Sequence, residues 1–159
     1  MKRLGTLLLM LAVVLAGSLA TVGTAQAVET CHTINAKGAG QITSQTTTGA
    51  TTVSQIIGGG LLHGTTEAEL TFMNVDPATG IATFEGTLVL TNKHGTLTLF
   101  VFAGVFNTQT GEFQNDSVVT DATGRFAGAT GNLFFHGFVA PDGSFRDDTI
   151  RGAVCVNLP

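Results

Sequence analysis

Turn signals recur along this chain at intervals that leave room for strands but not for long helices. Asp76-Pro77-Ala78-Thr79-Gly80, Asn92-Lys93-His94-Gly95, Asn107-Thr108-Gln109-Thr110-Gly111 and Pro141-Asp142-Gly143 each set Asn, Asp or Pro beside a glycine. Asn, Asp and Pro initiate tight turns, and glycine supplies the positive φ that hairpins need. Between the turns lie β-rich runs: Leu61–Val75, Ile81–Thr91, Thr96–Phe106, Glu112–Thr120, Asn132–Ala140 and Phe145–Val156. A strand near Thr30–Asn35 and one or two within Gln41–Ile57 bring the expected total to about eight. Sustained helical periodicity is absent after residue 27. The expected fold is therefore all-β, an antiparallel meander of about eight strands, closed or nearly closed into a barrel. The segment 37–60 is rich in Gly, Thr, Ser and Gln. It reads equally as a linker or as polar edge strands, because Thr favours β structure.

Alternation indicates which faces are buried. Ala82, Phe84, Gly86, Leu88 and Leu90 share one face of their strand, and Thr83, Glu85, Thr87 and Thr91 the other. That is the pattern of a half-buried strand. Two strands are apolar on both faces. Leu97, Leu99, Val101, Ala103 and Val105 alternate with Phe100, Phe102 and Phe106, and Leu133, Phe135 and Val139 alternate with Phe134 and Phe138. A small barrel has one inside, so the second face is expected to meet another subunit, in a homo-oligomer. A terminal segment folded over that face is the alternative.

The first 27 residues read as an export signal. Lys2 and Arg3 precede an almost wholly apolar Leu4–Ala20, and Ala25-Gln26-Ala27 supplies small residues where a signal peptidase cuts. An uncleaved membrane anchor is the competing reading, though Gly5, Gly17 and Ser18 interrupt the run. Cleavage leaves one domain, 28–159, with no membrane span and a secreted location. That domain keeps five basic residues against eleven acidic ones, a net charge of −6. Nucleic acid and anionic membranes are thereby disfavoured as partners. Export places Cys31 and Cys155 in an oxidising compartment, where an even pair normally forms a disulfide; two free thiols are the other possibility.

Chemistry-bearing motifs are sparse. His32, His63, His94 and His136 have no metal-ligand spacing, and the serines lie in no nucleophile elbow, so neither metal nor cofactor is expected. His136 lies between Phe134 and Phe138 on one strand face. It is a candidate proton-transfer group if that face points into a cavity, and an interface residue if it points out. Glu85 is a second candidate, because desolvation would make it a base. Phe84, Leu88, Phe134 and Phe138 are the candidate cavity wall for a small apolar ligand. Asp142, Asp147 and Asp148 form no calcium loop and read as surface charges.

The run Thr123-Gly124-Arg125-Phe126-Ala127-Gly128-Ala129-Thr130-Gly131, a Phe-rich strand, Pro141-Asp142-Gly143 and a last strand follow one another. This T-G-x-F-x-G-A-x-G pattern resembles the allene oxide cyclase and dirigent barrel superfamily over 121–156, and in architecture only over 61–120. The resemblance implies an eight-stranded antiparallel barrel with an apolar cavity, commonly trimeric, whose members steer cyclisation or radical coupling of a small molecule. The chain has no tyrosine and no counterpart of the cyclases' N-terminal polar motif, so no catalytic residue carries over. The glycines read as structural, with Phe126 as a plug for one barrel end. The functional expectation is an exported barrel that binds a small apolar molecule and steers its cyclisation or isomerisation. A non-catalytic carrier or protein-interaction barrel is the rival.

Overall fold

The computed structural model describes residues 29–157, so the export signal expected at 1–27 lies outside the described residues. Eight antiparallel strands run β1 (Thr30–Gln45), β2 (Gly49–Gly58), β3 (Gly64–Asp76), β4 (Ile81–Asn92), β5 (Gly95–Asn107), β6 (Glu112–Ala122), β7 (Thr130–Val139) and β8 (Ser144–Val156). Each pairs with its neighbour in sequence, and β8 returns to β1, so the sheet is a closed barrel. Closure leaves no unpaired edge and encloses an interior that side chains fill or one small ligand occupies. The segment 37–60 is the long end of β1 and the whole of β2, which resolves the linker reading in favour of strands. Its threonines and serines suit positions that are mostly exposed.

The two ends differ. At one end, the turn from β6 to β7 contains a short 3-10 turn, Gly124–Phe126, and Phe126 is completely buried. It plugs that end against Leu62, Leu97, Ile150 and Val156. The turn is held by Arg125 N donating to His94 O at 2.7 Å and Ala129 N to Phe126 O at 2.7 Å. His94 stands edge-on to the Phe126 ring, with centroids 6.2 Å apart. Gly124 and Gly128 take φ of 61° and 76°, where a side chain would be strained. Full burial of Phe126 contributes roughly 1.5–3 kcal/mol.

At the opposite end four short turns frame a mouth. Asp76 accepts hydrogen bonds from Ala78 N at 2.9 Å and Thr79 Oγ1 at 2.8 Å. Asp142 accepts from Ser144 N at 2.9 Å and Ser144 Oγ at 2.6 Å. Asn107 Oδ1 accepts from Gln109 N and Thr110 N. The hydroxyl of Thr79 and the hydroxyl of Ser144, each with nearby backbone N–H donors, hold the Asp76 and Asp142 carboxyls below their ordinary range.

Cys31 and Cys155 lie opposite each other in the β1–β8 register and are disulfide-bonded. The bond closes the seam where the first strand meets the last. Its presence is consistent with an extracellular protein. Among the described residues no helix is long and apolar enough to cross a membrane.

Candidate functional site

Above the plug the barrel interior opens into a cavity of about 100 Å³ that reaches the mouth. This is somewhat smaller than the about 150 Å³ of an apolar protein cavity that accommodates benzene. Six phenylalanines line it: Phe72, Phe84, Phe106, Phe113, Phe135 and Phe145. Phe113 and Phe145 meet edge to face, with centroids 6.2 Å apart. Two small residues matter as much as the rings. A side chain on Gly104 would collide with the Phe84 ring, and one on Gly40 with Phe145. These glycines leave room for the bulkier walls.

Polar groups are few. Ser54 and Thr66, neighbours across β2 and β3, share a short hydrogen bond between hydroxyls. Asn115 accepts from Ser117 Oγ at 3.0 Å. Asp147 is different. The residue lines the cavity and is 6% exposed, and its carboxyl makes no hydrogen bond or ion pair among the described residues. Burial, reinforced by the like charge of Asp148, pushes it up to about 7. Asp147 is paired across the sheet with Gly38 on β1 and Gly137 on β7. A side chain at position 38 would strike its carboxylate oxygen. Gly38 thus makes space for a buried acid.

Asp147 therefore corrects the reading of it as a surface charge. A register shift in β8 explains the difference. Ile150, Val154 and Val156 are buried on the even phase, whereas Phe145 and Asp147 line the cavity on the odd one. An irregularity between Asp147 and Ile150 changes the phase, and one extra residue turns every later side chain to the other face. In β5, a register shift between Phe102 and Val105 has the same effect. Leu97, Leu99 and Val101 point in and Phe100 and Phe102 point out, yet beyond the bulge Phe106 faces the cavity. Ala103, at the bulge, has a positive φ of 50°.

The residues singled out from sequence divide between the two faces. Phe84 and Leu88 line the cavity. Phe134 and Phe138 lie on the outside, because Leu133 and Phe135 take the inward phase of β7. Phe134 sits 4.9 Å beneath the Arg151 guanidinium. His136 shares their outer face, with Nε2 at 2.9 Å from Glu112 Oε1 on β6. Glu85 is half-buried and is not part of the cavity wall. Neither residue reaches the cavity, so the outer-face alternative holds for His136. The His136–Glu112 contact is exposed, and such pairs contribute little. His136→Gln is expected to change stability at pH 7 by less than about 1 kcal/mol in urea unfolding.

Among the described residues, no three His, Cys, Asp or Glu side chains come close enough to hold a metal ion. The cavity's chemistry thus lies in apolar walls, three hydroxyls, two carboxamides and one perturbed carboxyl. No model of a known protein family matches this sequence, and no curated protein matches it.

Proposed function

We propose that this protein is an exported barrel that binds a small apolar molecule in its single-mouthed cavity. The observation that carries the reading is the cavity itself, floored by a fully buried core and walled by six phenylalanines. An apolar hollow near the size of one ring, open at one end, gains free energy by exchanging solvent for an apolar guest. The guest enters between the Asp76, Asn107 and Asp142 turns. The Cys31–Cys155 disulfide supports the exported location.

Xenon is the simplest probe, since it tests the hollow without assuming a ligand. NMR spectra under xenon pressure are expected to show shifts concentrated in the methyl groups of Ala68, Leu70, Leu88 and Val139, which line the cavity. Ala68→Phe fills the space and removes those shifts. Unchanged spectra at saturation in the unmodified protein would contradict the reading.

Asp147 favours a second, more active version of the same reading. A carboxyl that titrates near neutrality inside an apolar enclosure can give or take a proton while the walls hold the guest in one shape, which steers cyclisation or isomerisation. Carriage without chemistry is its rival. Self-association rests on a separate feature: Phe100 and Phe102 stack on the outer face of β5 and are 40% and 38% exposed. Native mass spectrometry of the purified protein addresses both points. It is expected to show a homo-oligomer, with a trimer favoured, and a co-purifying small molecule. A clean monomer mass would overturn the self-association.

A further inference from the structure

A buried carboxyl without a protein partner is a costly feature, and what surrounds Asp147 shows what would relieve it. Among the described residues it is the one titratable group in the cavity wall. On its own strand, Arg146 and Asp148 are exposed and pair with each other, at 3.2 Å. On β1, Lys37 is exposed on the outer face beside Gly38. On β7, His136 faces outward to Glu112. His32, on the inward phase of β1, is the third residue of that strand, near the plug rather than the mouth. No cation of this chain reaches the acid among the described residues.

Two further features point the same way. Six phenylalanines share the cavity wall with this acid, and the face of an aromatic ring attracts a desolvated cation. The mouth turns carry Asp76 and Asp142, both held in the ionised form by their turn hydrogen bonds, and no lysine or arginine. Lys93 and Arg125 lie in turns at the plugged end. The entrance is therefore negatively biased along its rim.

We propose that the cavity selects an apolar ligand bearing one basic nitrogen, whose ammonium group pairs with the Asp147 carboxylate among the phenylalanine rings. This rests on the proposed function, since it names the class of molecule that the same cavity takes. The ligand supplies the charge that the protein withholds, and pairing holds Asp147 ionised. Burial of such a pair is favourable only when both charges are matched, so a neutral or anionic analogue of the same shape binds more weakly.

The test compares three probes of one shape by calorimetric titration of the purified protein: hexylamine, 1-hexanol and hexanoate. At pH 8 hexylamine is expected to bind at least about tenfold more tightly than 1-hexanol, with hexanoate weakest. Hexylamine stays charged between pH 8 and pH 5, whereas free Asp147 takes up a proton near pH 7. Its advantage should therefore shrink by roughly tenfold per pH unit below 7, until the affinity of the alcohol is reached. Asp147→Asn is expected to bring the amine-to-alcohol ratio to about one; the pH arm gives the same information without a variant. Equal binding of amine and alcohol at pH 8, an amine preference that does not fall below pH 7, or one that persists in Asp147→Asn, would overturn the inference and leave the apolar cavity standing. Failure of all three probes, together with a silent xenon experiment, would remove the cavity reading as well.

Discussion

Between pH 5 and pH 8 the protein is expected to lose about 2 to 3 kcal/mol of stability through Asp147 alone. The sign follows from the direction of the shift. The carboxyl is pushed up from 3.8 to about 7 in the folded protein, chiefly by burial. Folding therefore favours the protonated acid. Below the unfolded value both states hold the proton and pH has no effect. Between that value and about 7 only the folded state holds it, so stability falls as pH rises. Above 7 the full cost of a buried, unpaired carboxylate is present. Urea unfolding at a series of pH values, with the disulfide intact, reads this slope. Asp147→Asn should remove it, making the variant more stable than the parent at pH 8 but not at pH 4. Parallel profiles for the two proteins would show that the acid is hydrated.

Loss of the Cys31–Cys155 disulfide has a larger expected effect. The bridge spans 124 residues of sequence, almost the whole barrel. The chain-entropy model gives about 5 kcal/mol for a loop of that size, against a typical total of about 5–15 kcal/mol for a domain. Cys31→Ser with Cys155→Ser should lower the urea midpoint sharply, because the unfolded chain regains the freedom that the bridge removes. The bond lies near the plugged end, where β1 begins and β8 finishes. At urea concentrations where the double variant is still folded, the cavity at the far end should bind its guest as before. An unchanged midpoint would mean that the β1–β8 ladder already confines the ends in the unfolded chain.

The fold was legible because its signals are local. Three of the four hairpins at the mouth carry their own turn residues, and Asp76, Asn107 and Asp142 all make the side-chain bonds that such residues make in turns. Strand β4 kept its inward phase throughout, so Phe84 and Leu88 could be placed from alternation alone. Phe126 could be read as a plug because it is the lone large apolar residue in a glycine-rich turn.

The centre of the site was not legible, and the reason is geometric. Alternation reports a face only while the phase is kept. In β8 the phase set by Ile150 and Val154 puts Asp147 outside, and nothing in Arg146-Asp147-Asp148-Thr149 marks the irregularity that turns it in. The available clue lay on other strands. Gly38 and Gly137 are the residues on either side of Asp147, and their pairing is visible only once the barrel is closed. In β7 both faces are apolar, so alternation alone left the inward one undecided. Phe134, His136 and Phe138 take the outer one.

The most direct measurement is the pH titration of the Asp147 side-chain carboxyl carbon by NMR in the ligand-free protein. An unpartnered acid in a phenylalanine-walled cavity should titrate with a midpoint near 7, about three units above an exposed aspartate, and an added apolar amine should draw that midpoint down. A midpoint near 4, unmoved by the amine, would mean that water fills the cavity and that the carboxyl selects no ligand.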